Sequence, residues 1–295
     1  MFWHNKSGFR DSRGLSIASL VLCAFLWSSG GVLIKLVDWD PFAIAGIRSI
    51  IGFITMIVLV GLPRFTFSFS QITAAVCYSA TMILFMFANK TTTAANAILL
   101  QYTQPIYIVI LGKWLLPDEK TGLSDWIAIT GIFCGMVLFF LDDLSFQANL
   151  GNILAAISGL TYAISAIFIR RQKNERPADS FMLAHLITFI FSVYFIIRGG
   201  MPSLTGIAGL LLLGIFQTGI PSVLYARGVS GVPAITASLI TMLEPIMSPV
   251  WVALFIGEIP SVRTLIGGGI ILVSVTVRTI FKERREKNIK TAQKV

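Results

Sequence analysis

The chain has 295 residues, of which 55% are hydrophobic and only 13% charged, and its formal net charge is +9. A soluble domain this apolar could not cover its own surface, and the hydrophobic residues fall in runs long enough to cross a bilayer, for which about 20 helical residues suffice. A soluble enzyme is excluded, and so is a nucleic-acid binder, because the basic residues sit in loops between apolar runs instead of gathering on one polar face.

Ten spans are predicted, over residues 15–36, 42–62, 70–88, 94–115, 124–141, 150–170, 179–197, 204–225, 233–256 and 262–281. The connections are short and carry the expected breakers Asp40-Pro41, Leu62-Pro63, Arg176-Pro177 and Met201-Pro202. The polar N-terminal stretch of about 14 residues enters an apolar run of about 23, too long for a signal-peptide core and without a small-residue cleavage site, so it reads as a retained first span. Cys23, Cys77 and Cys134 lie in three separate apolar runs. Their spacing suggests neither a metal nor a disulfide, and they read as small packing residues. No metal and no cofactor is expected.

Ten spans put both termini on one side. With the N-terminus inside, the outside loops hold only 4 of the 23 basic residues (Lys35, Lys90, Arg198, Arg263) and the inside loops and tails hold 18. Arg48 is left within a span. This is a positive-inside pattern. It describes a multi-pass protein of the cytoplasmic (inner) membrane with both termini cytoplasmic. The basic tail from 278 onward reads as a solvated end, able to touch anionic lipid.

The chain also contains itself twice. A shift of 140 residues lays Pro105 on Pro245, Gln104 on Glu244 and Ala94 on Ala234, and a one-residue slip lays Glu119 on Glu258. A shift of 135 lays Leu15 on Leu150, Trp27 on Tyr162 and Lys35 on Arg170. Spans 1–5 therefore correspond to spans 6–10. Five is odd, so the second copy starts on the opposite side of the membrane and the copies are inverted. The expected fold is all-α and integral to the membrane, with ten transmembrane helices as two inverted five-helix repeats around a central cavity. The expected divisions are a tail at 1–14, repeats at 15–141 and 150–281, and a basic tail at 282–295. Pro105 and Pro245 are predicted helix breaks. Each lacks an N–H and frees the carbonyl four residues earlier, Gln101 or Thr241. In lipid such a carbonyl is tolerated only against protein or a wet cavity; both copies are expected to line water near mid-membrane. Inverted repeats with matched broken helices are the layout of secondary transporters, with the site between the halves.

The tandem five-helix plan, the Pro41…Arg48 opening of span 2, the Pro105…Glu119…Trp126 stretch, Glu244-Pro245…Gly257-Glu258 and the following Gly267-Gly-Gly resemble the drug/metabolite transporter superfamily in its ten-helix EamA-type branch. The resemblance covers roughly residues 15–281. Pro117-Asp118-Glu119 departs from the Gly-Glu usual in that family. The resemblance implies a cavity lined by spans 1–4 and 6–9, with spans 5 and 10 peripheral. It does not single out a substrate.

Charged groups inside spans mark pathways or buried pairs. Arg48 lies roughly 9 Å below the outer end of span 2 and Glu244 roughly 17 Å from the inner end of span 9, which makes them nearly level in a core of about 30 Å. They read as a pair or as partners in a water cluster, either binding substrate and taking a proton or tying the halves together. His185 aligns with Arg48 at a shift of 137. It is a candidate for proton coupling beside Glu244, or a hydrogen-bonded packing residue. Trp27 and Tyr162 sit mid-span in equivalent places, as cavity walls or as packing. Asn96, Gln101, Gln104 and Gln217 offer amides that suit a zwitterion, or interhelical bonds. Glu119 and Glu258 lie at opposite membrane faces, too far apart for a catalytic carboxylate pair; capping or gating fits them. No catalytic residue is expected, and no phosphate-cradling loop or metal-binding helix motif appears.

The function expected is a secondary transporter moving a small organic metabolite, an amino acid or related compound, by alternating access, with efflux one direction open to it. The partners expected are that small-molecule substrate, the lipid bilayer and protons as a candidate coupling ion, with no nucleic acid; the chain reads as a monomer or weak homodimer. The rival reading is a membrane-embedded enzyme or lipid-modifying protein, which needs clustered His, Asp and Glu near one interface.

Overall fold

The computed structural model describes residues 13–119, 121–142, 144, 150–172, 175–256 and 261–292. Glu258 and most of the N-terminal tail lie outside them. Every regular element among the described residues is helical: α1 (Arg13–Ser28), α2 (Gly30–Lys35), α3 (Pro41–Val60), α4 (Phe69–Thr91), α5 (Ala94–Gln101), α6 (Gln104–Leu115), α7 (Leu123–Phe139), α8 (Leu150–Arg171), α9 (Pro177–Gly199), α10 (Leu204–Leu212), a π-helical turn (Leu213–Gly219), α11 (Ile220–Gly231), α12 (Ala234–Thr241), α13 (Leu243–Ile256) and α14 (Val262–Ala292). Joined across their breaks, these make the ten spans. Helix is forced here, since a chain in lipid must satisfy its backbone groups within itself. The polar caps come from the sequence. Asp40 accepts from the amides of Phe42 and Ala43 ahead of α3, Ser68 from Gln71 ahead of α4, Thr93 from Asn96 ahead of α5, and Ser203 from Gly206 ahead of α10.

The breaks fall where prolines predict them, and in two further places. Span 4 divides at Tyr102-Thr103 and span 9 at Met242, just ahead of Pro105 and Pro245. Span 1, expected as one helix, also divides. The hydroxyls of Ser28 and Ser29 donate to the carbonyls of Phe25 and Leu26 at 2.6 and 2.7 Å, drawing them out of the helical ladder. In span 8 the missing donor of Pro221 is absorbed by the π-helical turn just before it. Span 8 then runs on to Gly231 instead of ending near 225, and α14 continues to Ala292.

The helix packing obeys one exchange rule: replace each span by the span five later and the same contacts appear. Span 3 packs along span 6 as span 8 does along span 1. Span 4 leans on span 6 as span 9 leans on span 1. Span 2 lies between spans 7 and 8 as span 7 lies between spans 2 and 3. The pairs 2/7, 5/10 and 4/9 map onto themselves and straddle the pseudo-two-fold axis. Two inverted five-helix repeats are the result. Spans 5 and 10 (α7 and α14) pack mainly on each other at the edge, where a Cβ on Gly267 would come within 2.5 Å of the Gly135 carbonyl. Spans 4 and 9 face each other at the centre, with Pro105 and Pro245 both buried. The two ends of the bundle are named below by the residues they carry, the Glu119 face and the Asn96 face.

Candidate transport site

Small residues bring span 2 and span 8 close. A Cβ on Gly52 would meet Thr218 at 2.7 Å, and one on Gly214 would meet Ile51 at 2.4 Å. This contact sets the Arg48 guanidinium beside the π-helical turn, where its Nη1 donates to Gln217 Oε1 at 3.1 Å. Gly30, just past the break in span 1, leaves the room that the Gln217 amide fills; a Cβ there would stand 3.0 Å from its Nε2. Arg48 Nε is buried and has no protein partner among the described residues.

The opposite charge enters from the other broken pair. Tyr102, at the break of span 4, donates its hydroxyl to Glu244 Oε2 at 2.7 Å. Nearby, Ser238 of α12 donates to Gln104 Oε1 at 2.9 Å, and the Gln104 Nε2 is buried without a partner among the described residues. The predicted Arg48–Glu244 pair is not made. The two groups lie within electrostatic reach of each other, but each is held by a neutral neighbour instead. Arg48, Gln217 and Glu244 all remain half-buried rather than fully enclosed.

A cluster of aromatic rings joins spans 1, 6 and 8. Trp27 and Tyr162, the equivalent pair, stand on either side of Tyr225, with ring centres 5.5 and 6.3 Å from it. Tyr78 and Phe181 pack behind them. The hydroxyls of Tyr162 and Tyr225 are buried and turned toward each other, with no other hydrogen-bond partner among the described residues. His185 Nε2 lies 3.0 Å from Ser222 Oγ, which itself donates to the Thr218 carbonyl at 2.7 Å. One hydroxyl hydrogen serves one acceptor, so the imidazole is the donor in that contact, and its buried Nδ1 has no partner among the described residues.

Some predicted residues fall elsewhere. Asn96 donates to Asn152 Oδ1 at 3.1 Å, which also takes the Thr92 hydroxyl, and so ties span 4 to the start of span 6. The break at Tyr102-Thr103 separates its face from that of Gln104. The Gln101 carbonyl, expected to face water, packs on span 6: a Cβ on Gly159 would lie 2.7 Å from it. Protein, not a cavity, receives that carbonyl, and a glycine makes the approach possible. The Gln101 side chain is half-buried.

Two polar clusters lie apart from these groups, one around Arg278 and one around Glu119, for which the sequence suggested capping or gating. Arg278, placed by the sequence in a solvated tail, is 3% exposed. Its Nε and Nη2 both donate to Asp125 Oδ1, at 2.9 and 2.6 Å, and its Nη1 donates to Thr236 Oγ1 at 2.7 Å. Glu119 takes the α12 N-terminal amide of Ala234 on Oε2 at 2.8 Å, while Arg170 Nε donates to its Oε1 at 2.5 Å. Arg170 also caps α11 through the carbonyls of Val229 and Ser230. The tandem carboxylate positions signalled Glu119 from the sequence. Asp125 in the first turn of span 5 was the one available sign for Arg278.

The sequence model of the EamA-like transporter family matches residues 14–141 and 149–280. An uncharacterized transporter of Archaeoglobus fulgidus is 27% identical over 266 residues, covering 88% of this chain and 94% of its own. The uncharacterized transporter YwfM of Bacillus subtilis is 24% identical over 271 residues, covering 88% and 91%. A protein of known crystal structure superposes with a TM-score of 0.81 at 19% identity, over 93% of this chain and all of its own, which is a likeness of fold.

Proposed function

The chain belongs to the EamA-like transporter family, and from that premise we propose that it is a secondary transporter carrying a small zwitterionic metabolite, an amino acid or a close relative, across the cytoplasmic membrane by alternating access. One observation carries the substrate class: a guanidinium on span 2 and a carboxylate on span 9 lie within electrostatic reach of each other without forming an ion pair. Arg48 spends one nitrogen on Gln217 and keeps Nε free. Glu244 spends one oxygen on Tyr102. A carboxylate and an ammonium on one solute would complete both sets. Trp27 and Tyr162 would take its apolar part. Glu244 is also the group best placed to exchange substrate for a proton.

The charge bias of the loops assigns the Glu119 face to the cytoplasm. On that side α6 packs on α12, whereas among the described residues no comparable packing joins α5 to α13 on the Asn96 side. This arrangement fits a state closed inward and open outward.

The test is solute flux in proteoliposomes, across amino acids, organic cations, carboxylates and nucleosides, with and without a pH gradient. Zwitterions are expected to move and single-charge solutes to move slowly or not at all. Folded protein that moves none of them, or that prefers cations, overturns the proposal.

A further inference from the structure

One eight-residue half-helix of the second repeat is held at its start, its middle and just past its end by polar groups. All residues of α12, Ala234–Thr241, are buried. Its first amide is held by Glu119, Thr236 by Arg278, Ser238 by Gln104, and Glu244, just past the break that ends it, by Tyr102. Glu119, Gln104 and Tyr102 come from the first repeat, and Arg278 is itself anchored to Asp125 of that repeat. Of the three grips on α12, those at 234 and 238 fall on one side of the half-helix and the one at 236 on the other. They therefore hold it from two sides instead of along one seam. Packing alone does not require this. The Ala234 amide is one of the free N–H groups at a helix start, and a carboxylate there also meets the positive end of the helix dipole. Arg170 adds a second grip by joining the same carboxylate to the last carbonyls of α11.

We propose that α12 is the inward gate of the transporter and that Glu119, with Arg170, is its latch. The inference rests on the alternating-access reading above and adds the element that moves. Met242 is the hinge, because the helix is interrupted there and Pro245 cannot restore the ladder. Glu244 lies two residues beyond the hinge, on the side that faces the substrate. A solute that draws Glu244 away from Tyr102 pulls on the end of α12, and the latch yields at the other end. Glu119 and Arg170 touch no part of the site; they set how often it opens inward.

The native Cys23 is the reporter. It is fully buried, its thiol donates to the Pro221 carbonyl at 3.4 Å, and it lies within electrostatic reach of Glu244. In a background with Cys77→Ala and Cys134→Ala, a membrane-impermeant maleimide is applied to either face of oriented vesicles. The latched protein is expected to react slowly from the Glu119 face. Glu119→Ala is expected to raise that rate about tenfold or more, the effect of losing one charge-assisted hydrogen bond. Glu119→Gln, which still accepts from Ala234, is expected to fall between. Arg263→Gln, which breaks the Arg263–Asp142 pair on the opposite face, should leave the Glu119-face rate unchanged. An unchanged rate in Glu119→Ala, or an equal rise from both faces, overturns the gate assignment. The readout needs no substrate, so a chain that moved no solute in the flux assay would still report on the latch.

Discussion

Gly159→Ala tests the central claim about how span 4 is broken. The added Cβ would stand 2.7 Å from the Gln101 carbonyl oxygen, 3.1 Å from that of Leu100 and 3.2 Å from Thr103 Oγ1. Carbon–oxygen contacts settle near about 3.3–3.6 Å, so span 4 and span 6 must separate by roughly half an ångström or more. Two of the three obstacles are main chain, and no rotamer change relieves them. Forcing a methyl into such a contact costs about 1–3 kcal/mol. Alanine recovers up to about 1 kcal/mol through helix propensity, so the comparison needs a glycine that gains the same propensity without the clash. Gly112 of α6 serves, since a Cβ there meets nothing within 4 Å. Gly159→Ala is expected to melt below Gly112→Ala by the full clash, about 1–3 kcal/mol at the transition, in purified protein followed by tryptophan fluorescence. Its transport should fall more than its stability, because the displaced segment carries Tyr102 and Gln104. Two variants that melt together would show that the Gln101 carbonyl does not rest on Gly159.

Three further outcomes follow from the polar contacts. Asp125→Asn or Arg278→Met alone should cost about 3–5 kcal/mol, since each strands a buried charge; the double variant should cost less than the sum, as a double-mutant cycle on thermal unfolding would register. Arg48→Lys keeps the charge but loses the planar fork that reaches Gln217 and a carboxylate together, so the Michaelis constant for zwitterions should rise by about tenfold or more, one charge-assisted bond being worth about 1.5–3 kcal/mol. Glu244→Gln keeps a group that can accept from Tyr102 but removes the titratable one; counterflow of zwitterion should persist, and the response of net uptake to an imposed pH gradient should vanish. A retained pH response would move proton coupling to another group.

What the sequence showed and what it hid divide along a physical line. The ten spans, the inverted copies and the breaks near Pro105 and Pro245 were legible because each rests on a local rule: hydrophobic length, a repeated pattern, a missing N–H. The break at Ser29 rests on two hydroxyls that reach back to their own helix, and serines in a span as often point elsewhere. The π-helical turn has Pro221 as its local sign, but its form goes with the close approach of span 8 to span 2, Gly219 against Thr55 and Gly52 against Thr218, a tertiary demand that the sequence does not display. Arg278 shows the limit most plainly. Hydropathy marks where an apolar run ends but not where the protein stops covering the helix, so an arginine three residues before the predicted end was read as wet. Asp125 reverses that reading, because a carboxylate from the neighbouring span start can receive two of the guanidinium nitrogens. The same reasoning separates Arg48 from Glu244. Depth along each helix put them level, yet level charges touch only if their helices are adjacent, and spans 2 and 9 are each turned toward a neutral donor or acceptor first. The two charges therefore stay apart, each against its own neutral partner.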